Sequence, residues 1–166
     1  MAFNAFIKMT GIDGEATQKG FEKAIEIHSF SWGASNPSSM GPGATGHGSG
    51  RVSISDFSVM KKSEVSSAKI FDHCCNGTAI AEVSVHLLKA AGGKGETVEF
   101  LKYTFTECVV TSVQWSGSSG GDDQPSESLS IAFGKVVIDY MQQTTKDQKG
   151  KKAGIAAWDI SKGTSE

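Results

Sequence analysis

The sequence predicts a mainly β fold, an antiparallel β-barrel or a sandwich of two sheets, with one flanking α-helix. Two observations predict it: apolar and polar residues alternate through several short segments, and turn residues separate those segments at short spacings. One segment, at residues 66–76, changes to a helical period. No internal repeat or linker divides the 166 residues, so we expect a single domain over residues 1–166.

Three strands are expected before the helix, at residues 3–9, 21–35 and 51–60. In the second, the apolar residues change phase between Ile27 and Phe30, which indicates a bulge near His28–Ser29 or burial on both faces. A similar change indicates a bend in the third strand, around Ser55–Asp56. Interruptions of this kind are suited to the curved sheet of a barrel.

The helix is expected to begin at Ser66–Ser67, which can cap it, and to end at Asn76–Gly77, which tolerate the left-handed conformation. Its apolar residues recur at helical spacing on one side, which is expected to face the sheet. The predicted apolar side consists of Ala68, Phe71, Cys74 and Cys75, and the polar side of Lys69, Asp72 and His73.

After the helix, strands are expected at residues 78–90, 97–105 and 109–115, followed by a long alternating strand and a short last one. In the first of these, the inward residues are expected to be Ala81, Val83, Val85 and Leu87, and the outward ones Glu82, Ser84 and His86. Residues 141–153 are polar and lysine-rich, so the last strand is expected only around Ile155, Trp158 and Ile160. The three tryptophans, Trp32, Trp115 and Trp158, fit inward or terminal strand positions.

The long alternating strand follows a polar turn at Gly117–Pro125. Its inward residues are expected to be Leu129, Ile131, Phe133 and Val137, and its outward residues Ser128, Ser130, Ala132 and Gly134. The outward side chains are small rather than charged. Because a flat, weakly charged strand invites another chain to pair with it, this stretch indicates that the protein assembles.

Composition excludes several functional classes. The net charge is −2 with both signs scattered, so no basic face for nucleic acid is expected. No apolar run approaches the roughly 20 residues of a membrane-spanning helix, so we expect no insertion into a membrane. Residues 1–14 lack the features of a signal peptide. We therefore expect synthesis in the cytoplasm, and export only by a route that does not read such a signal.

No candidate for catalysis, metal binding or cofactor binding survives inspection. Residues 90–98 lack the spacing of a phosphate-binding loop, and Gly46–Gly50 lacks the glycines of a nucleophile elbow. The adjacent carboxylates of Asp122 and Asp123 fit a turn better than acid–base chemistry. Metal or redox spacing is also missing among the histidines and cysteines, which are His28, His47, His73, His86, Cys74, Cys75 and Cys108. We therefore expect a protein without enzymatic activity, metal or cofactor.

Residues 36–50 form a long segment of Gly, Ser and Pro in which Met40 is the single large apolar side chain. Loops of this length are uncommon in compact domains and are usually functional or disordered. Two interpretations stay open. The segment is a floppy hairpin connection, or it is an arm that becomes ordered on a neighbouring subunit.

Several distinctive segments follow one another along nearly the whole chain. They are FIKMTGIDGE at 6–15, IHSFSWG at 27–33, the loop at 36–50, SAKIF at 67–71, CCNG at 74–77, GGDDQPSESLSIAFGK at 120–135 and WD at 158–159. In this order they resemble the Hcp (haemolysin-coregulated protein) family, which forms the tube of the bacterial type VI secretion system.

The resemblance implies a β-barrel-like domain, six copies of which form a ring that stacks into a hollow tube. A contractile sheath surrounds such a tube, a spike protein caps it, and its lumen carries small effector proteins out of the cell. From loop position and the resemblance together, contacts between rings or subunits are expected at Asn36, Pro37, Met40, Pro42, His47, Gly121, Asp122 and Asp123.

Three rival interpretations remain. A phage-type tail-tube subunit shares the architecture, although the helix and the Gly-Gly-Asp-Asp run favour the secretion family. A monomeric β-sandwich that binds a glycan or another ligand would need a groove lined by aromatic residues. A hydrolase would need a nucleophile beside a base, and the sequence alone places no such pair.

Overall fold

A computed structural model describes residues 3–37, 51–90, 97–121, 123–144 and 147–165. These residues form twelve antiparallel strands and one helix, which confirms the predicted mainly β fold with a flanking helix. The strands are β1 (Asn4–Met9), β2 (Ile25–Ile27), β3 (Ser29–Ser31), β4 (Ala34–Ser35), β5 (Ser53–Ile54), β6 (Phe57–Lys62), β7 (Ala79–Ala90), β8 (Thr97–Ser116), β9 (Ser126–Ala132), β10 (Lys135–Thr144), β11 (Asp147–Asp159) and β12 (Thr164–Ser165). The helix is α1 (Ser66–Asn76).

The strand pairing closes on itself to form a barrel. β2 and β3 are two halves of one strand, interrupted at His28, whose backbone N–H donates to the carbonyl of Met60. β2 pairs with β1 and β3 pairs with β6. From β6 the ladder passes through β9, β8 and β7 and returns to β1. The predicted interruption at His28–Ser29 is therefore present, and it is where one strand changes its partner.

A group of aromatic side chains packs inside the barrel among aliphatic residues. Phe57 and Phe105 are fully buried, and Phe133 nearly so. Trp32 meets Tyr103 and Phe105 edge-on, with ring centroids 5.4 and 5.5 Å apart. Burial raises the pKa of the Tyr103 hydroxyl, and a hydrogen bond with Trp32 opposes that effect. These rings fill the space that the curved sheet encloses.

β8 pairs with two different strands along one edge. Its first half pairs with β10 and its second half with β9. Between the halves Glu107 has a left-handed backbone, with φ 57°, so the two strands predicted at 97–105 and 109–115 are one bent strand. Gly134 joins β9 to β10 at this point, and the turn changes the inward phase. Val136 is therefore the buried residue, and the prediction for Val137 was wrong.

β10 and β11 form a hairpin that extends beyond the barrel. β10 leaves β8 at Tyr140, but its ladder with β11 continues to Thr144 and Asp147. The prediction that residues 141–153 lie outside the strands was therefore wrong. Within the described residues the end of this hairpin has no third strand beside it. Because it does not pack on the core of its own chain, its apolar and polar residues do not alternate. We call residues 140–144 and 147–155 the hairpin arm.

The helix has the predicted bounds, and Gly77 ends it in the left-handed conformation with φ 62°. Its start differs from the prediction: the preceding residue is Val65, which provides no side-chain cap, and the N–H of Val65 donates to a carboxylate oxygen of Glu15. The helix also buries a different side from the one that the sequence predicts. Ile70 is buried and Cys74 is partly buried against the core, whereas the other three predicted residues, Ala68, Phe71 and Cys75, are exposed.

Residues 10–24 cover the outer face of β1 and β7. Phe21 stacks on Phe6 with ring centroids 5.3 Å apart, in a small apolar cluster outside the barrel. Ser84 and His86 point outward as predicted, but this cover leaves them only 7% and 8% exposed. Ala81, predicted to face inward, is exposed, because the bend at Glu107 on the facing strand shifts the local phase of β7.

Candidate functional site

The predicted contact residues that the structure describes lie at opposite ends of one barrel wall. Asn36 and Pro37 follow β4, whose partner β5 leads into the N-terminal end of β6. Gly121 and Asp123 lie in the turn between β8 and β9, and β9 begins beside the C-terminal end of β6. All four residues are exposed. The six residues of β6 separate the two groups by about 20 Å of strand.

The other predicted contacts, Met40, Pro42, His47 and Asp122, lie outside the described residues. The structure also gives the turn between β8 and β9 a recess of about 620 Å³. Its lining consists of Ser116, Gly117, Ser118, Ser119, Gln124, Pro125 and Ser126. The lining is small and uncharged, so it offers a surface for contact rather than groups for acid–base chemistry.

The outer face of the same wall carries rows of hydroxyl side chains. Across β3, β6 and β9 the registered rows are Ser29–Met60–Ser128 and Ser31–Ser58–Ser130. The hydroxyls of Ser58 and Ser130 are 3.1 Å apart, and Met60 is the one large apolar side chain in the two rows. β9 is paired along both edges, so the inference that another chain pairs with this strand was wrong. The strand offers its serine-rich face instead.

The exposed stripe on α1 continues onto the end of β8. Ala68, Phe71 and Cys75 follow each other at spacings of three and four residues, which places them on one side of the helix. The ring of Phe71 lies 5.6 Å from that of Trp115, and these rings are 50% and 45% exposed. Trp115 has the terminal strand position that was predicted. We call these four residues the helix patch.

A buried ion pair explains why this side of α1 faces solvent. Lys61 Nζ lies 3.1 Å from Glu127 Oε2, and both side chains are fully buried. Ser67, in the first turn of α1, donates its hydroxyl hydrogen to the same oxygen at 2.5 Å and accepts from Lys61 Nζ at 2.9 Å. The start of the helix is therefore fixed to β6 and β9. Sequence reasoning missed this pair, although Lys61 and Glu127 continue the inward phases of their strands.

The hairpin arm exposes apolar side chains on both faces. Tyr140 lies beside Gly154 and Ile155 lies beside Asp139, so the two apolar residues point to opposite sides. They are 44% and 64% exposed. Lys152 Nζ reaches Asp139 at 3.3 Å. An arm with this surface is suited to contact another molecule.

Ser84, His86 and Glu99 have the hydrogen-bond order of a catalytic triad, which sequence reasoning missed. His86 Nδ1 lies 2.5 Å from Glu99 Oε2, and Nε2 lies 2.9 Å from Ser84 Oγ. The signal was available, because residues 84 and 86 share one strand face. However, Ser84 sits inside a ladder between β1 and β8, which occupies its backbone, and Phe21 lies 5.1 Å from the His86 ring. Among the described residues the arrangement therefore has neither an oxyanion site at Ser84 nor open access for a substrate.

The cysteines and acidic groups do not assemble into a metal centre in the part of the chain that is described. Burial raises the pKa of Cys108 to about 12, so it remains a thiol. Cys75 is exposed on the helix patch. Among the described residues, α1 is too short and too polar to cross a bilayer.

Residues 6–140 match the family described as "Type VI secretion system effector, Hcp". The curated Protein hcp1 of Pseudomonas aeruginosa is 32% identical over 160 residues, which is 96% of each chain. A solved structure of a type six secretion system protein superposes with a TM-score of 0.90 at 31% identity, covering 99% of this chain and 100% of that one. Hcp1 from Salmonella typhimurium superposes with a TM-score of 0.76 at 26% identity, over 100% of both chains.

Proposed function

Because the chain belongs to the Hcp family of type VI secretion system proteins, we propose that it is the subunit of that system's hollow tube. Six copies form a ring, and rings stack head to tail. A contractile sheath surrounds the tube and a spike protein caps it, and contraction propels both out of the cell. The role of the protein is structural and not enzymatic.

The location of the predicted contacts at two ends of one wall is the observation that carries this proposal. A head-to-tail stack joins two different surfaces, so it does not close and grows as a filament. Asn36 and Pro37 supply one surface, and Gly121 and Asp123 the other. The four remaining predicted contacts, Met40, Pro42, His47 and Asp122, lie outside the described residues and stay predictions.

The hydroxyl rows on the outer face of β3, β6 and β9, which we call the serine-rich wall, favour a tube whose lumen carries small effector proteins. Rows of hydroxyls form hydrogen bonds with a passing protein but provide no strong apolar or ionic attachment. Cargo held by such a wall stays releasable. Met60, 48% exposed in the middle of one row, is the side chain best placed to make an apolar contact with it.

Export tests the proposed function. In a bacterium that carries the matching secretion system, the protein should accumulate in the medium without cell lysis, which a cytoplasmic marker monitors. Deleting the contractile sheath should retain the protein in the cells. Equal amounts in the medium with and without the sheath would contradict the proposal, and would instead favour a phage-type tube or a binding protein with its own route.

A further inference from the structure

We propose that the helix patch of one copy receives the hairpin arm of the next copy in the same ring. This inference rests on the proposed function and adds to it the two surfaces that meet. The contact is heterologous, so each copy uses its patch on one side and its arm on the other.

The helix patch is an amphipathic face without a partner among the described residues. Its spacing is that of a helix side that packs on a core, yet the buried contacts of α1 are made by Ile70 and, in part, Cys74. Phe71 and Trp115 are left half exposed against each other. Tryptophan is among the residues most enriched in the energetic anchors of protein interfaces. A face of this kind calls for a covering surface from outside the monomer.

The hairpin arm has the shape and surface to cover it. The arm extends past the last β8 partner of β10, at Tyr140, and β11 is paired with β12 only at Trp158 and Asp159. Within the described residues the outer edge of the arm therefore has unpaired backbone groups. Tyr140 and Ile155 lie on its two faces at its base, where β10 still pairs with β8. An unpaired edge with apolar side chains on both faces is stabilised when it inserts against another chain.

The two surfaces lie far apart on one molecule. Tyr140 pairs with Leu101 near the start of β8, whereas Trp115 lies near its end. Leu101 and Trp115 are fourteen residues apart along β8, on either side of the bend at Glu107. Among the described residues α1 has its main contacts with β8 and not with β10 or β11, so in one copy the arm lies away from the helix patch. In a closed ring every helix patch meets one arm, so no copy is left with an uncovered helix patch.

Charge favours a second copy as the partner. The arm carries Lys151 and Lys152, both exposed. Beside Phe71 of the helix patch, α1 exposes the carboxylate of Asp72 and also the amine of Lys69. In the proposed contact Lys151 of the arm lies near Asp72, since Lys152 already pairs with Asp139 in its own copy, and such complementarity guides association and register.

Cross-linking tests the contact directly, because the helix patch already contains Cys75. In the variant Ile155→Cys, a short bismaleimide should join neighbouring copies into covalent ladders up to the hexamer. The double variant Ile155→Cys with Cys75→Ser should lose the ladder. Thr17→Cys, an exposed position in the segment that covers the outer face of β1 and β7, is the matched control. A ladder no stronger than that of Thr17→Cys would overturn the proposal.

Ring mass provides the second measurement. Phe71→Ser and Ile155→Ser should each lower the fraction of rings by about tenfold or more at fixed concentration, the scale of losing an interface anchor. Met60→Ser removes a comparably exposed apolar side chain from the serine-rich wall and should leave the rings intact. Rings that persist in both patch and arm variants overturn this interface while the tube proposal stands. A wild-type protein that forms no rings at all overturns the proposed function itself.

Discussion

Asp159 ends β11 with a carboxylate that is bound through both oxygens. Oδ1 accepts the Ser161 hydroxyl at 2.6 Å and the Lys162 N–H at 3.0 Å. Oδ2 lies 3.4 Å from Lys135 Nζ. These contacts, the Ser161 hydrogen bond first, lower the pKa of Asp159 from its usual 3.8 to about 2. The ionised carboxylate therefore holds together the start of β10, the end of β11 and the turn that follows.

Asp159→Asn should lower the unfolding temperature at neutral pH and lose its effect in acid. Because the folded-state pKa lies below the unfolded one, the carboxylate stabilises the fold above about pH 4. That stabilisation is lost as the pH falls through about 2. Thermal unfolding of both proteins between pH 7 and pH 2 measures the difference, with Asp13→Asn as an exposed control. A difference that is independent of pH would show that the charge of Asp159 is not the cause.

The burial of single residues was predictable from the sequence where apolar and polar residues alternate along a strand. Leu129, Ile131 and Phe133 are buried as the pattern of β9 predicts. The buried charges were not predictable in the same way, because Glu127 occupies an inward position only with Lys61 and Ser67 beside it. Those partners come from distant parts of the chain, and no local pattern reveals that they meet.

The junction of β9 and β10 determines how the barrel opens into the hairpin. Gly134 donates its N–H to the carbonyls of Thr106 and Glu107, at 3.0 and 3.2 Å. Its carbonyl accepts the N–H of Ile160 at 2.9 Å. A Cβ at residue 134 would lie 3.1 Å from the Cβ of Glu107. A larger residue at position 134 would therefore have to displace the side chain of Glu107, where the bent strand and the junction approach each other.

Gly134→Ala should destabilise the fold by about 1–3 kcal/mol, the cost of forcing a methyl group into a packed contact. Gly33→Ala is the matched control, because a Cβ there has no atom within 4 Å, and it should change stability by about 0.5 kcal/mol or less. Urea unfolding at one fixed protein concentration measures both variants. Equal stability of the two variants would contradict the role assigned to Gly134.

Elements in which apolar residues recur at a regular spacing were predictable from the sequence. Features that depend on contacts with distant parts of the chain were not. The bounds of α1 and the interruption at His28 follow from local sequence. The exposed side of α1 does not, because the contacts of Ser67 fix the rotation of the helix. The polar sequence of the hairpin arm concealed its strands, since the arm gains its ladder from pairing within the hairpin and not from burial in this chain.

At the scale of the whole molecule, the protein is a closed barrel with separate surfaces for separate contacts. The ends of one wall carry the predicted stacking contacts, its outer face carries hydroxyl rows, and the helix patch and hairpin arm lie at the two ends of β8. The sequence predicted the fold class and indicated assembly, but it pointed to the edge of β9, which is paired on both sides. Surfaces such as the helix patch become visible only when the three-dimensional contacts leave an apolar side uncovered.

The mass of the purified protein in solution tests the central claim most directly. Light scattering on a size-exclusion peak, with negative-stain images of the same peak, should give six times the chain mass of 17.5 kDa and rings with an open centre. The proposed ring contact would bury the helix patch and the arm, so we expect the ring to persist on dilution into the micromolar range. A monomer at high protein concentration would contradict the account.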